Sequence, residues 1–386
     1  MFYTFGNMTE NPFPIAAYAG PEYFCNRQKE TAQLKEALLN GRNLTLFSPR
    51  RMGKTGLIHH LFHGLKKESC HTIYTDIFGT EDLSGFINRL ANATLAAVTA
   101  KKGNLLSRAV ELFGRIRPQL SYDGLSGTPQ VSFTLQNDAE KQATLGEIFE
   151  ILEKQKVRNF VAIDEFQQIT RYPEKNIEEI LRSHVQHLNN THFIFSGSQR
   201  HLLSPMFTDP RRAFYQSSSF LGLDKLDHGE YRSFIHDHFE RGGQGVEVKI
   251  IDFILEWTKR YTFYTQYLCN RIFSKRKPGI TEELVRECIR EIFTERETVF
   301  YNFRNLLTTH QFRLLSAVAL EDELSEPTGQ TFLRKYDLGN ASTVRKSLQA
   351  LVDKEMIFVT QGRDKPVYQV YDVFLSRWFR WRENLD

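Results

Sequence analysis

The chain has 386 residues, and at roughly 100–200 residues per domain this length predicts two or three domains and excludes one small module. Hydrophobic residues make up 41% of the sequence and charged residues 25%, an ordinary globular composition that excludes an intrinsically disordered chain. The 50 Lys and Arg against 46 Asp and Glu give a net charge of +4, which does not by itself indicate a nucleic-acid partner.

The sequence offers no membrane or export signal. No stretch approaches the roughly 18 uncharged apolar residues of a membrane helix, and the N-terminal residues lack the basic-then-apolar order of a signal peptide. We therefore expect a soluble cytoplasmic protein with no membrane partner. The four cysteines form no CxxC pair, which predicts reduced thiols rather than a disulfide framework or a zinc site.

Residues 27–223 alternate between helical and strand-like patterns. The predicted helices are 27–39, a helix that ends near residue 67, 83–100 and 176–188. The predicted strands are 43–47, 71–78, 160–163, 192–196 and 219–223. Such alternation predicts an α/β fold with helices that cross over a mainly parallel sheet. Residues 105–145 interrupt this rhythm with a helix and a predicted hairpin, QLSYDG followed by QVSFTL, which we interpret as an insertion.

The strands stop after residue 223. Asp227 with Glu230 three residues later resembles a capping box, and the helix that it opens is expected to end at residues 241–243. Residues 250–273 and 281–293 also carry helical patterns, so this part is expected to hold about three helices. Residues 301–386 then show three short helices (311–320, 328–336, 341–354) and two strands (356–360, 367–371). This order predicts a winged helix-turn-helix.

A phosphate-binding pattern follows the predicted strand 43–47. The segment SPRRMGKTGLI fits G-x-x-x-x-G-K-[ST], except that Ser48 replaces the first glycine. Loop N–H groups and the helix N-terminus would surround the phosphates, and Gly53 lets the main chain approach them. Lys54 would contact the β- and γ-phosphates and Thr55 would bind Mg²⁺. The predicted nucleotide-binding residues are Ser48, Pro49, Arg50, Arg51, Met52, Gly53, Lys54, Thr55 and Gly56. The alternative interpretation is a plain Arg-rich turn.

A second acidic motif ends an apolar strand. In NFVAIDEF, Asp164 would hold the Mg²⁺ shell, and Glu165 would act as the general base that polarises the attacking water. The alternative is an acidic turn after a buried strand. We favour the metal-site interpretation because a P-loop needs a carboxylate at such a strand end.

The following segments supply candidate sensors of the γ-phosphate. HFIFSGSQR ends in Ser198 and Arg200, and either could be an ordinary turn or surface residue instead. Arg211 and Arg212 are candidate arginine fingers, although solvated loop arginines are the favoured interpretation. His59 and His63 lie one helical turn apart, but without the Glu of HExxH they are interpreted as structural.

The combined segments resemble a known family. FCNRQKE, LFSPRRMGKTGL, VAIDEFQQI, FIFSGSQRHLL and LLTTHQFRLLSAVA are similar to segments of the archaeal-type ATPases, in the STAND branch of AAA+-related P-loop NTPases. The resemblance spans nearly the whole chain. It implies an ASCE-type core with strand order 5-1-4-3-2, a helical lid, a C-terminal winged helix and ATP as the nucleotide. By position, it also implies that Arg27 lies at the adenine site.

Two segments depart from the family pattern. The Gly-Gly-x-Pro turn that opens a lid helix is here Lys259-Arg260-Tyr261-Thr262, and the Pro-Leu-Tyr-Gly-Arg type segment is here AFYQS at 213–217. The resemblance therefore assigns no arginine finger.

The expected division of the chain is an N-terminal extension (1–22), a P-loop ATPase core (23–225), a helical lid (226–300) and a winged-helix domain (301–386).

The net charge of the predicted winged helix does not identify its partner. Residues 301–386 contain 12 Lys and Arg against 11 Asp and Glu, a net charge of +1. Arg345, Lys346 and Lys354 on the predicted recognition helix, with Arg363 and Lys365 in the wing, could still form a local basic face. We favour packing against the ATPase core or protein binding over DNA binding, and a homo-oligomer is left open.

The sequence thus predicts an ATP- and Mg²⁺-dependent ATPase, slow in turnover, that acts as a switch and couples nucleotide state to its winged-helix tail. Two alternatives remain at this stage. One is a DNA-binding regulator with a structural nucleotide site. The other is a scaffold that holds nucleotide without hydrolysing it.

Overall fold

A computed structural model of the chain describes residues 10–99, 105–113, 118–122, 129–362 and 364–383, with the side chains of residues 105, 106, 129, 200 and 361 left out. The chain divides into two units. Tyr18–Asp224 forms the sheet unit, and Lys225–Asp386 forms the helical unit together with the segment that ends at Ala17. Within the described ranges, no helix is both long enough and apolar enough to cross a bilayer.

The sheet unit alternates strands and helices as predicted. Its strands are β1 (Leu44–Phe47), β2 (Cys70–Asp76), β3 (Gln119–Tyr122), β4 (Pro129–Ser132), β5 (Arg158–Asp164), β6 (Thr191–Gly197) and β7 (Ser219–Gly222). Its helices are α1 (Gln28–Leu39), α2 (Lys54–Leu65), α3 (Leu83–Val98), α4 (Leu105–Leu112), α5 (Asp138–Glu153), α6 (Ile177–Val185) and α7 (Arg200–Thr208). Two 3₁₀ turns lie at Pro21–Tyr23 and Phe166–Arg171.

Five strands form one parallel sheet in the order β2-β5-β6-β1-β7. If only the strands of this sheet are numbered along the chain, the order is 2-3-4-1-5. Read from the opposite edge, this is the predicted order 5-1-4-3-2, so the predicted topology is confirmed. The strand β6 lies between β1 and β5. Because the strands are parallel, their carboxyl ends meet at one edge, and this edge is where an open α/β sheet binds its ligands.

Apolar cores cover both faces of the sheet. One core packs α1 and α2 over β1 and β5, and the other packs α3, α5 and α6 over the opposite face. All seven residues of β6 are buried, and rings such as Phe193 and Phe195 lie 5.5 Å apart within the second core. Burying each ring contributes roughly 1.5–3 kcal/mol. The sheet edge is therefore a rigid base for any residues that follow the strands.

The predicted insertion is present as the helix α4 and the antiparallel hairpin β3–β4. The hairpin turn, 123–128, lies outside the described residues. Asn92 closes the outer edge of β4, because its side chain donates to Val131 O at 2.7 Å and accepts from Val131 N at 2.8 Å. The helix α5 was not predicted, although Asn137 caps it by accepting from Glu140 N at 2.9 Å.

The helical unit holds the rest of the chain. Its helices are α8 (His228–Arg241), α9 (Val248–Trp257), α10 (Thr262–Ser274), α11 (Glu282–Leu306), α12 (Thr309–Glu321), α13 (Gln330–Lys335), α14 (Ala341–Asp353) and α15 (Val373–Arg382). Its strands are β8 (Gly245–Val246), β9 (Gly279–Ile280), β10 (Ile357–Gln361) and β11 (Pro366–Val370). Asp227 caps α8 as expected, accepting from Glu230 N at 3.0 Å.

The predicted continuous helix at 250–273 is wrong, because the chain forms α9 and α10 instead. The break lies at Lys259 and Arg260, whose φ angles are 54° and 59°. Arg260 N donates to Leu255 O at 2.9 Å and closes the end of α9. Two successive left-handed residues cannot continue a right-handed helix. Residues 228–306 therefore contain four helices rather than three, and α11 continues beyond 293 to Leu306.

The tail has the predicted winged-helix order, with α12, α13 and α14 followed by the antiparallel pair β10–β11. The helix α15 joins the tail to the preceding helices through one core. Phe374 packs against Trp257 at 5.8 Å and Tyr264 at 4.8 Å between ring centroids, and Arg377 Nε donates to Trp257 O at 2.8 Å. Because these groups share a core, we expect the tail and α9–α11 to move as one body.

Candidate nucleotide site

The loop between β1 and α2 has the backbone that the phosphate-binding pattern requires. Gly53 adopts φ 92° immediately before α2, a conformation that glycine reaches without a Cβ penalty. Arg51 adopts φ 69°, which costs a residue with a side chain roughly 1–2 kcal/mol. Ser48, where the pattern has glycine, donates its hydroxyl hydrogen to Pro49 O at 3.0 Å. The loop thus delivers the chain to the N-terminus of α2, whose N–H groups favour an anion.

Lys54 is the first residue of α2, and its side chain is buried beneath the loop. Its ammonium donates to Ser48 O at 3.0 Å and to Pro49 O at 3.4 Å. Burial lowers the pKa of Lys54, while the nearby carboxylates of Glu165 and Asp164 oppose that shift. A buried cation held by neutral carbonyls is incompletely compensated, so this position favours a bound anion.

Thr55 and Asp164 meet although they are far apart in sequence. The Thr55 hydroxyl donates to Asp164 Oδ2 at 2.7 Å, and Glu165 N donates to Asp164 Oδ1 at 3.1 Å. A hydroxyl and a carboxylate are hard oxygen donors, which fits Mg²⁺ with its remaining positions taken by water and phosphate. Among the described residues, no group of three or more His, Cys, Asp or Glu is arranged to hold a metal ion.

Glu165 follows β5 with φ 56°, and two side chains fix its carboxylate. Gln167 Nε2 donates to Glu165 Oε2 at 2.5 Å, and Ser198 Oγ donates to the same oxygen at 2.8 Å. Arg50 Nε in turn donates to Ser198 Oγ at 3.4 Å. The predicted base and the predicted sensor Ser198 are therefore in direct contact, and a P-loop arginine extends the chain of hydrogen bonds.

Sequence reasoning missed three residues at this edge, Tyr74, Asp76 and Gln167. Gln167 is buried and its Oε1 has no hydrogen-bond partner. A Cβ at Gly197 would lie 2.1 Å from that oxygen, so Gly197 makes room for the amide. Tyr74 donates to Asp164 Oδ2 at 3.0 Å. Burial raises the pKa of Asp76, and Asp164 and Glu165 add to the shift.

Of these three residues, only Gln167 lies next to a motif in the sequence, two residues after Glu165. Tyr74 and Asp76 lie on β2, and they reach the site because β2 pairs with β5 in the register Asp76–Asp164. The sequence does not specify that register.

Arg27 lies against the loop from its other side. It immediately precedes α1 with φ 64°, and its buried guanidinium donates to Glu30 Oε1 at 2.8 Å and to Met52 O at 3.4 Å. Met52 is buried as well. On the neighbouring segment, Phe24 lies 3.5 Å from where a Cβ of Gly56 would stand. The segment before α1 thus packs on the phosphate loop and the first turn of α2.

Unlike Ser198, which contacts Glu165, the other described candidates, Arg211 and Arg212, bond to other carboxylates. The side chain of Arg200 lies outside the described residues. Arg211 pairs with Asp209 at 2.7 Å, and Arg212 Nε donates to Glu178 Oε2 at 2.9 Å. Both described arginines thus pair with carboxylates of their own neighbourhood, and their role as fingers stays a prediction.

The predicted histidine pair packs among aromatic rings. The His59 ring lies 4.5 Å from the Tyr74 ring, and the His63 ring lies 6.1 Å from the Tyr18 ring. Burial lowers the pKa of His59. These contacts agree with the structural interpretation of both histidines.

Comparisons with known families identify two matches. Residues 24–258 match the family described as "ATPase domain predominantly from Archaea", and residues 298–381 match "Probable winged helix domain". No curated protein matches the sequence.

Solved structures share the fold over nearly the whole chain. A Walker-type ATPase of Pyrococcus abyssi superposes with a TM-score of 0.64 at 16% identity, covering 96% of this chain and 99% of that one. The Aeropyrum pernix ORC2 protein, solved with ADPNP and ADP, has a TM-score of 0.57 at 15% identity and covers 97% of each chain. The Aeropyrum pernix ORC1 protein, solved with DNA, has a TM-score of 0.50 at 15% identity and covers 94% of each chain.

Proposed function

Because this chain belongs to the family of ATPase domains found predominantly in Archaea, we propose that it binds ATP with Mg²⁺ and hydrolyses it slowly as a STAND-type switch. One observation carries the proposal. Three separate elements bring residues together at the carboxyl edge of the sheet. They are α2 with Lys54 and Thr55, the end of β5, and the segment after β6 with Ser198. Burying an ammonium near two carboxylates costs desolvation energy, and such clusters concentrate at functional sites.

Each residue has a distinct task in this proposal. The loop 48–53 and the N-terminus of α2 receive the phosphates, and the Lys54 ammonium exchanges its carbonyl partners for phosphate oxygens. Thr55 and Asp164 would hold Mg²⁺, which neutralises charge on the β- and γ-phosphates when bound. Glu165 orients the attacking water and takes its proton.

The contacts of Glu165 support its role as the base. Its Oε2 already accepts hydrogen from Gln167 and Ser198, so these bonds fix the carboxylate in one orientation. A base held in one orientation loses less entropy when water binds. Ser198 is bonded to both Glu165 and Arg50, so it could report the state of the phosphates to the base.

The division into residues 1–22, 23–225, 226–300 and 301–386 remains part of the proposal. We propose that hydrolysis changes the position of the helical lid and, with it, of the winged helix. The support is the core that α15 shares with α9 and α10, including the bond from Arg377 to Trp257 O. The helix α11 (Glu282–Leu306) also runs without a break through the proposed boundary at 300.

Phosphate release from the wild-type protein tests hydrolysis. We expect release from ATP that requires Mg²⁺, with turnover on the order of 0.01 per second or slower, as in switch NTPases without a stimulating partner. A malachite green or coupled fluorescence assay measures it. Phosphate release no faster than the spontaneous hydrolysis of ATP in buffer would contradict hydrolysis by the protein and favour the nucleotide-holding scaffold.

DNA binding through the winged helix is a second candidate function, favoured by one face of α14. Ser342, Arg345, Lys346 and Gln349 are exposed at helical spacing, while Val344, Leu348 and Leu351 are buried on the opposite face. A recognition helix presents such a polar face to DNA. The structural likeness to an ORC1 protein solved with DNA supports this candidate only through the fold.

The double variant Arg345→Ala, Lys346→Ala tests this face. If both cations contact phosphates, we expect the slope of log affinity against log salt to become shallower by roughly 2. Fluorescence anisotropy with a labelled duplex at several salt concentrations measures the slope. Lys249→Ala, an exposed cation on α9, is the matched control. An unchanged slope would contradict DNA contact by α14 and favour a protein partner.

A further inference from the structure

We propose that Tyr74 is a positioning residue that holds Asp164 in its metal-binding orientation. The inference rests on the proposed function, since it assigns Tyr74 to the Mg²⁺ side of the same nucleotide site. The observation behind it is the hydrogen bond from the Tyr74 hydroxyl to Asp164 Oδ2, at 3.0 Å. Neither the sequence motifs nor the family matches assign Tyr74 a role.

The register of two neighbouring strands places this hydroxyl. The strands β2 and β5 are parallel, with Tyr74 beside Ala162 and Asp76 beside Asp164. Because side chains alternate along a strand, Tyr74 and Asp164 lie on the same face of the sheet, the one that α2 covers. A tyrosine is long enough to bridge the remaining gap along the strand.

The ring of Tyr74 is held in place. It packs against the apolar core between the sheet and α2, and the His59 ring of α2 lies 4.5 Å from it at an interplanar angle of 47°. Aromatic contacts of this kind stabilise a ring beyond its burial alone. The hydroxyl therefore cannot leave Asp164 without moving a packed ring.

The carboxylate of Asp164 accepts three hydrogen bonds. Glu165 N donates to Oδ1 at 3.1 Å, and Thr55 and Tyr74 donate to Oδ2 at 2.7 and 3.0 Å. When the Thr55 oxygen serves a metal ion, Tyr74 remains as the side chain that fixes Oδ2. Outer hydrogen-bond partners of metal-binding groups set metal affinity, and losing one typically costs roughly 10–100-fold.

Tyr74→Phe tests the proposal because it removes the hydroxyl and leaves the ring. We expect the Mg²⁺ concentration that half-saturates ATP binding to rise by about 10-fold, while ATP binding in EDTA stays at the wild-type value. Calorimetric titration of ATP at a series of Mg²⁺ concentrations measures both, and it does not depend on turnover. A purely structural defect would weaken binding equally with and without the metal.

Two further variants complete the test. Tyr172→Phe removes the hydroxyl of a second tyrosine in the sheet unit, a buried one bonded to Thr80 Oγ1, and should leave the Mg²⁺ dependence unchanged. His59→Ala loosens the Tyr74 ring without touching Asp164, so we expect a smaller shift in the same direction, which keeps the proposal testable if Tyr74→Phe does not fold.

The outcomes separate this inference from the proposed function. An unchanged Mg²⁺ midpoint in folded Tyr74→Phe, beside a wild-type protein whose ATP binding depends on Mg²⁺, overturns the role of Tyr74 alone. If Tyr74→Phe does not fold, an unchanged midpoint in His59→Ala has the same consequence. A wild-type protein that binds no ATP overturns the proposed function, and this inference with it.

Discussion

Lys54→Ala is expected to abolish the thermal stabilisation that ATP with Mg²⁺ gives the wild-type protein. At a nucleotide concentration of about 100 times Kd, binding stabilises a protein by roughly 2.7 kcal/mol, which corresponds to roughly 5–10 °C in Tm for a unit of about 200 residues. The Lys54 ammonium lies beneath the loop and contacts two of its carbonyls, and Lys54→Ala removes this buried charge from the phosphate site. Differential scanning fluorimetry with and without nucleotide measures the shift.

The control for this result is Lys66→Ala, which removes an exposed lysine at the other end of α2. It should keep the full nucleotide shift. Without nucleotide, we expect the Lys54 variant to be no less stable than the wild type, because it no longer buries a cation whose pKa burial lowers. A nucleotide shift in Lys54→Ala equal to that of the wild type would contradict the assignment of the phosphate site.

Glu165→Gln is expected to reduce ATP hydrolysis by at least about 100-fold while ATP binding is retained. General-base catalysis contributes roughly 10²–10⁴-fold, and an amide cannot take a proton from water. The phosphate and metal positions are built from other residues, among them Thr55 and Asp164 at 2.7 Å. Binding and chemistry should therefore separate in this variant.

Single-turnover phosphate release, paired with calorimetry of ATP binding, measures the two effects. Glu179→Gln, an exposed carboxylate on α6, is the matched control and should behave as the wild type. Release from Glu165→Gln at the wild-type rate would show that another group activates the water. Loss of ATP binding in the same variant would show instead that Glu165 supports the site structurally.

Much of the sheet unit could be predicted from the sequence because its signals are local. Short apolar segments such as β5 and β6, each followed by polar residues, identify the strands and the edge where they end. The phosphate loop identifies β1 as the strand before it. The order of the strands, in contrast, came with the family resemblance, and the structure confirms it.

The helical unit shows what local patterns leave out. The apolar pattern runs through residues 250–273, yet the chain turns at Lys259 and Arg260, where neither residue is a glycine. Contacts distant in sequence hold that turn, since Lys259 pairs with Asp322 and Arg260 Nη1 donates to Leu226 O at 3.2 Å. Tertiary contacts of this kind override the helical pattern. The apolar pattern gives no signal of them, and only the family resemblance, which has a turn at 259–262, pointed to a break there.

The residues of the candidate site also fall into two groups, those that the sequence identifies and those that only the structure identifies. Lys54, Thr55, Asp164 and Glu165 belong to motifs whose spacing reflects their chemistry, so the sequence could single them out. Tyr74 depends on how β2 pairs with β5, across 90 positions of sequence. A tyrosine in a strand reads as an ordinary core residue, and only the folded structure shows that its hydroxyl reaches a carboxylate.

Calorimetric titration of the wild-type protein with ATP, in Mg²⁺ and in EDTA, tests the central claim most directly. If Lys54, Thr55 and the carboxylates form one nucleotide site, the titration should give one ATP per chain, with clearly tighter binding when Mg²⁺ is present. Absence of binding heat across several temperatures, or an affinity that Mg²⁺ does not change, would contradict the account.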